Sequence, residues 1–319
     1  MTEMKFCILM PAYNAANDIE KAINSVLAQT YSQFSLVIVN DGSTDNTATI
    51  LNKFADEKRI KIISQQNTGI AGAYQHAFAH IDGDYVMFLD SDDAFEPNAL
   101  KEISDVITKT QADIVQFGIS YFDENWGHKR DLIFAEKEIA SNKMILLNYF
   151  NGINEGSDRP NLGIRAYKKE MLLDFMFPPS GSLGIDEILN LYAMTRCNKI
   201  TFVPKPYYLC QQRANSVSRI KPSAPKVAGI LLSYREMEKI LLAQHSDFID
   251  LLYVKFIKFY ISHLNIIKKL PTYKSHKEDF NRQIAIVTRS TRIHLDRKTK
   301  LRAFSLGHFP FLSIMLSKN

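Results

Sequence analysis

Over its first 110 residues the chain alternates short, wholly apolar runs with segments whose apolar residues recur at helical spacing, and few architectures accept that pattern. Phe6-Cys7-Ile8-Leu9-Met10 is followed, past a Pro11-Ala12-Tyr13-Asn14 loop, by Ile19, Ala22, Ile23, Val26 and Leu27 on one helical face. Leu36 to Val39 is a second run, closed by the polar stretch Asn40 to Thr47 and followed by Ile50, Leu51 and Phe54. Ile60 to Ile63, a helix over Gly69 to Ala79, Tyr85 to Leu89, and then Leu100, Ile103, Val106 and Ile107 continue the alternation. A strand that is apolar at every position must be covered on both faces, so the pattern predicts a Rossmann-like α/β fold with a mainly parallel sheet flanked by helices. In such sheets ligands bind beyond the carboxyl ends of the strands. The loops Pro11–Asn14, Asp41–Asp45 and Asp90–Asp93 all follow strand ends, so they can converge on one ligand.

Asp90-Ser91-Asp92-Asp93 places three carboxylates within four residues, and these raise one another's pKa values unless a cation or a donor cluster lies among them. Hard oxygen ligands at that spacing suit Mg²⁺ or Mn²⁺, which takes one or two protein carboxylates and completes its shell with substrate phosphates and water. The competing expectation is a polar turn in which Asp90 or Ser91 caps a helix beginning near Pro97. Asp41 can accept hydrogen bonds from the imide or amine of a base, with Gly42 and Ser43 permitting close backbone approach. Equally, Asp41 to Asp45 can be an Asx or Ser/Thr turn leading into the next helix. Tyr13 offers a flat face for stacking. Asn67-Thr68-Gly69 precedes a helix whose free N–H groups can face a phosphate or sugar, or it is a plain glycine turn. Asp186-Glu187 opens a further helical segment, where a carboxylate can deprotonate an acceptor hydroxyl or simply complement the helix dipole.

Beyond residue 110 the pattern loosens. Ile114 to Ile119, Asn161 to Tyr167 and Ile200 to Val203 read as strands, Ile145 to Phe150 and Asp186 to Met194 as helices, and Pro204-Lys205-Pro206 as an extended edge or loop. From about Ala224 the chain reads as helical, with a dense apolar run from Leu251 to Ile267 whose burial is the default expectation. The charge is divided: residues 1–219 carry about −6 and residues 220–319 about +11, for a net +5. Lys255, Lys258, Lys268 and Lys269 around the apolar run leave a role at an anionic membrane surface open beside that of a solvated helical face. The basic region lacks a recognisable nucleic-acid module. Cys7, Cys197 and Cys210 have neither CxxC spacing nor a paired cadence, so no zinc site or disulfide framework is expected and a reducing compartment fits. The N-terminus does not have the pattern of a signal peptide, and no apolar stretch approaches the ~20 residues a membrane span needs.

Four motifs taken together, Pro11-Ala12-Tyr13-Asn14, Ser25-Val26-Leu27-Ala28-Gln29-Thr30-Tyr31, Val39-Asn40-Asp41-Gly42-Ser43-Thr44-Asp45 and Phe88-Leu89-Asp90-Ser91-Asp92-Asp93, resemble the inverting family 2 glycosyltransferases with a GT-A fold. The resemblance is strong over residues 4–110, weaker over 160–220, and leaves residues 225–319 unaccounted for. It implies a GT-A domain over 1–220, with a nucleotide-binding half (1–110) and an acceptor half (111–220), followed by a helical basic region over 221–319. It further implies a nucleotide-sugar donor, most often a UDP-sugar, with Pro11, Ala12, Tyr13 and Asn14 lining the nucleoside pocket and Asp41 on the uracil. Asn67 and Gly69 would lie beside the diphosphate or ribose, Asp90 with Ser91 would face the ribose or sugar, and Asp92 would ligate Mn²⁺ or Mg²⁺.

Where relatives commonly carry an arginine near the start of the third helix this chain has Tyr74. The family's base usually follows a glutamate, whereas here the order is Asp186-Glu187; aligning Ile188-Leu189 makes Glu187 the first candidate and Asp186 the second. Pro206-Tyr207-Tyr208 and Gln212-Arg213-Ala214-Asn215-Ser216-Val217-Ser218 resemble the segment that closes over the donor, where Arg213 would pair with phosphate. The expected reaction builds bacterial surface polysaccharide, of O-antigen or capsule type, from a UDP-sugar and a carbohydrate or lipid-linked oligosaccharide acceptor. The expected location is cytoplasmic, at the inner membrane face where the basic region reaches it. The alternative is a non-catalytic sugar-nucleotide-binding or scaffold protein of the same fold. A nucleotidyltransferase is disfavoured, because Pro11–Asn14 lacks a glycine-rich loop with a basic residue.

Overall fold

A computed structural model describes residues 3–151, 161–179, 182–212 and 222–290. Ten strands form one sheet: β1 (Phe6–Ala12), β2 (Phe34–Asp41), β3 (Ile60–Gln65), β4 (Tyr85–Phe88), β5 (Ala94–Phe95), β6 (Ile114–Phe122), β7 (His128–Leu132), β8 (Lys137–Ile139), β9 (Arg165–Lys168) and β10 (Ile200–Gln211). The main path runs β3-β2-β1-β4-β9-β6-β10-β5, with β7 on β6 and β8 on β10. Pairing is parallel from β3 through β4 and between β6 and β10, as the apolar runs predict. The short β9 is antiparallel to both β4 and β6, and so joins the two parallel halves. The helices among them are α1 (Ile19–Leu27), α2 (Thr47–Asn52), α3 (Gly69–Phe78), α4 (Ala99–Thr110), α5 (Asn142–Asn151) and α6 (Ile185–Arg196).

Every residue of β1 is buried, and α1 turns Ile19, Ala22, Ile23 and Val26 inward, matching the helical spacing. Burying side chains such as Ile8, Leu9 and Met10 contributes about 1.5–3 kcal/mol each, which is why this strand sits mid-sheet. Two expectations need correction. Asn161 to Tyr167 is not one strand: the Asn161 carboxamide accepts the Gly163 N–H at 2.7 Å and turns Leu162–Ile164 into a 3-10 helix before β9 begins. Pro204-Lys205-Pro206 does not end its strand; β10 runs through it, because a register shift between Val203 and Tyr208 absorbs the prolines' missing donors.

Residues 182–184 and 222–290 form a second compact unit. It contains α7 (Ala224–Gln244), α8 (Ile249–Ser262), α9 (Leu264–Ile267) and α10 (Tyr273–Arg289). The dense apolar run packs inward: Tyr253, Phe256, Ile257, Tyr260 and Ile267 are buried, and Tyr260 stacks on Phe280 with centroids 4.2 Å apart. Lys258, Lys268 and Lys269 stay exposed. Among the described residues no helix is long and apolar enough to cross a membrane.

Candidate functional site

The loops after β1, β2 and β4 converge as expected, around a cleft of about 400 Å³. Pro11, Ala12, Tyr13, Asp41, Asn67, Gly69, Asp90, Ser91 and Asp92 all line it, together with the unforeseen Ile70 and Ala73. Tyr13 is 52 % exposed, leaving a ring face free for stacking. Asn14 does not line the cleft. Its N–H donates to the Ser43 hydroxyl at 3.0 Å and its side-chain oxygen accepts from the Thr44 N–H at 2.8 Å, so it ties the first loop to the second. Gly42, at φ +71°, lies so close to the Asn67 backbone that a Cβ would come within 2.6 Å of Asn67 N. Asp41 accepts the N–H groups of Thr68 and Gly69, so these two α3 donors are consumed rather than aimed at a phosphate. Arg213 lies outside the described residues.

Asp90 to Asp93 does not cap a helix. α4 starts at Ala99 with Asn98 at its cap position, and β5 intervenes. The three carboxylates divide. Asp93 turns inward, 5 % exposed, and its Oδ1 accepts the Gln211 N–H at 2.8 Å; burial and the charges of Asp90 and Asp92 hold its carboxyl well above the usual range. Asp90 and Asp92 face the cleft. Asp90 is open to solvent there, yet the crowding walls and the Asp92 charge push it up to about 6, with the Tyr208 hydroxyl pulling the other way. The Asp90 N–H donates to the Tyr208 oxygen at 3.2 Å, so β10 holds the loop at both ends.

This repulsion is what a cation would relieve. Among the described residues no cluster of three or more His, Cys, Asp or Glu side chains could hold a metal ion by itself. The oxygen donors of Asp92 and its neighbour Asp90 therefore fit a hard divalent ion that arrives with a phosphate-bearing substrate and shares its oxygens.

Asp186, at the start of α6, lies near enough to this cluster to feel the Asp90 charge. Burial, with the Asp90 charge behind it, pushes the Asp186 carboxyl up to about 8, while the Arg165 guanidinium pulls it down. Tyr74 stands close to both carboxylates: it is 2 % exposed, packs edge-on to Phe88 at 5.4 Å, and has its phenol raised by burial and by Asp90 and Asp186. A neutral phenol thus occupies the place where the sequence comparison expects an arginine. Glu187 offers its carbonyl to the Tyr149 hydroxyl at 3.2 Å. One helical turn beyond Asp186, the Asn190 side-chain oxygen accepts from Tyr167 at 2.6 Å and from Arg165 Nη1 at 3.1 Å, and Arg165 Nε donates to Gln116 at 2.9 Å. This buried network under the base candidate gave no signal in the sequence, because its members come from β6, β9 and α6. Gln211 was equally silent, whereas Tyr208 stands in the Pro206-Tyr207-Tyr208 segment that the resemblance singles out.

The glycosyl transferase family 2 model matches residues 7–172, just over half of the chain. The chain belongs to that family. The chain is 28 % identical over 229 residues to the glycosyltransferase GlyA of Streptococcus pneumoniae, covering 69 % of this chain and 32 % of the relative. It is 44 % identical over 95 residues to a chondroitin synthase of Pasteurella multocida, covering 30 % of this chain and 10 % of that protein. It therefore spans about a third or less of the length of these relatives. Among solved structures, the 1–349 segment of S. aureus TarS in complex with UDP-GlcNAc aligns with a TM-score of 0.71 at 20 % identity, covering 98 % of this chain and 89 % of that one. The mannosyltransferase PcManGT of Pyrobaculum calidifontis, in complex with GDP-Man and Mn2+, aligns with a TM-score of 0.55 at 13 % identity, over 100 % and 88 % of the two chains. Both likenesses concern the GT-A fold.

Proposed function

We propose that this protein is an inverting, divalent-metal-dependent glycosyltransferase that moves a hexosyl or N-acetylhexosaminyl group from a UDP-sugar to an acceptor hydroxyl. The observation that carries this is the convergence of Tyr13, Asp41, Asp90 and Asp92 on one cleft, with Asp186 near enough to Asp90 to feel its charge. Tyr13 stacks on the base and Asp41 accepts its ring N–H. Asp92 would hold Mn²⁺ or Mg²⁺, which supplies charge neutralisation for the leaving diphosphate. Asp186 takes the proton of the acceptor hydroxyl as that oxygen attacks the anomeric carbon from the face opposite the diphosphate. The new C–O bond forms as the bond to the diphosphate breaks, with inversion and no covalent intermediate. A base lifted to about 8 is matched to a hydroxyl proton at physiological pH. The UDP-GlcNAc held by TarS and the Mn2+ in PcManGT support the donor and metal classes.

Melting curves with UDP-, GDP- and dTDP-sugars, with and without Mn²⁺, test this. A Tm rise with UDP-sugars that grows with Mn²⁺ and disappears in Asp92→Ala is expected; no rise with any donor would overturn the assignment. The acceptor we propose is a growing bacterial surface polysaccharide of capsule or O-antigen type, carbohydrate or lipid-linked. The basic unit beyond residue 221 would hold the enzyme at the anionic cytoplasmic membrane face, supported by its exposed lysines. Equal sedimentation with neutral and anionic liposomes would remove that part.

A further inference from the structure

The two oxygens of Asp41 are unequally occupied. Oδ1 accepts the Gln65 side-chain N–H at 2.8 Å, the Thr68 N–H at 2.8 Å and the Thr68 hydroxyl at 3.3 Å, whereas Oδ2 accepts the Gly69 N–H at 2.9 Å. A carboxylate oxygen offers about two lone-pair directions, so Oδ1 is filled and Oδ2 keeps one. Asp41 is 3 % exposed, so the protein rather than bulk water decides which way the carboxylate is turned.

Gln65 is the residue that turns it. It ends β3 directly beside Asp41 in the parallel register. Its NH₂ group is spent on Asp41 and on the Thr68 hydroxyl, at 2.8 and 2.7 Å, so its carbonyl must point the other way. There it meets His76 Nδ1 at 2.7 Å. A carbonyl can only accept, so Nδ1 carries the hydrogen. His76 stands two turns along α3, the helix whose first residue, Gly69, bonds Oδ2. The contacts close a ring from Asp41 through Gln65 and His76, down the α3 backbone, and back to Asp41. A flipped Gln65 amide would set its carbonyl against the Asp41 carboxylate and its NH₂ against the His76 N–H, so the ring has one arrangement.

We propose that His76 and Gln65 are the positioning residues that set base specificity: they lock Asp41 so that Oδ2 alone faces the cleft as an acceptor, selecting a pyrimidine with a ring N–H. Uracil carries that hydrogen on N3; cytosine has a lone pair there and is turned away. Removing the brace frees the carboxylate to rotate, and the preference between the two bases narrows. This rests on the assignment of Asp41 to the base.

Calorimetric titration of the full chain with UDP and with CDP, in Mn²⁺, tests the brace in Gln65→Leu and His76→Phe. Losing one hydrogen bond of ordinary net strength corresponds to about 3- to 10-fold, so UDP binding should weaken by about that much. CDP binding should stay within about twofold, and the UDP/CDP ratio should fall accordingly. His76→Asn, which places an amide N–H near the reach of Nδ1, should recover most of the ratio. Equal losses for both nucleotides would show a merely structural role, and an unchanged ratio in both variants would overturn the proposal. Asp41→Ala separates the two levels. If it leaves the wild-type ratio intact, the base assignment fails and the brace falls with it; if it collapses the ratio while Gln65→Leu and His76→Phe do not, the brace alone is wrong. Should Gln65→Leu fail to fold, His76→Phe, which is remote from the strand pairing, decides the matter.

Discussion

Replacing Asp186 by asparagine should cost most of the turnover while making the protein more stable, and the two effects can be sized separately. In the folded chain burial pushes this carboxyl up to about 8, against an ordinary 3.8, so charging it there costs roughly 6 kcal/mol more than in water. The sign follows from proton counting. Between pH 4 and 8 the unfolded chain has released this proton and the folded chain has not, so this group makes stability fall as pH rises through that window and level off above it. Asparagine keeps the shape and removes the titration. The variant should match the wild type near pH 4 and exceed it increasingly up to about pH 8, by at most those ~6 kcal/mol, read as a Tm difference of several degrees in EDTA. Turnover should drop about 10²- to 10⁴-fold, the usual contribution of a general base. Wild-type kcat/KM should rise with pH towards the Asp186 value, because only the carboxylate can take the proton. Glu187→Gln is the control and should alter neither quantity substantially. A variant that keeps wild-type turnover, or a Tm gap that does not widen with pH, would refute the assignment of Asp186.

Arg165→Met removes the cation that pulls Asp186 down, so the acid limb of the kcat/KM profile should move to higher pH, with activity lost at pH 7 and regained near pH 9. Asp93→Asn keeps the acceptor for Gln211 N–H and removes a buried charge, so at pH 8 it should be at least as stable to urea as the wild type. Asp93→Ala leaves that N–H without its partner and should lose about 1–3 kcal/mol in the same titration. Gly163→Ala would put a methyl 2.2 Å from the Tyr208 ring, costing about 1–3 kcal/mol of stability and, by displacing the hydroxyl that holds Asp90, weakening donor binding in calorimetry.

Much of the fold over residues 1–110 was legible because its constraints are local. β1 and β4 are apolar at every position and β2 from Leu36 to Val39, so they had to be central, and the polar loops at their ends had to surface together. The choice between Asp186 and Glu187 as the proposed base was not legible in the same way. α6 buries Ile185, Ile188, Leu189, Asn190, Leu191, Tyr192 and Ala193 and so shows no polar face from which its phase can be read. Asp186 and Glu187 differ by about 100° around the helix axis. What fixes that phase is Asn190, held by Tyr167 and Arg165 from a strand that the sequence pattern merged with a 3-10 turn. The sequence assigns Asp93 no role of its own, because its partner, Gln211, lies 118 residues further on.

That span of 118 residues, shared by the Asp93–Gln211 and Asp90–Tyr208 bonds, bears on how the chain reaches its active form. The parallel core of β1 to β4 can assemble early from neighbouring βα units. The acidic loop at its edge stays unanchored until β10 arrives from the far half, and closing so long a loop is a late, slow event. A ribosome-bound or truncated chain ending before residue 208 would thus own β1 to β4 with all their loops and still lack a formed acidic loop. Competence is conferred by the last strand of the sheet.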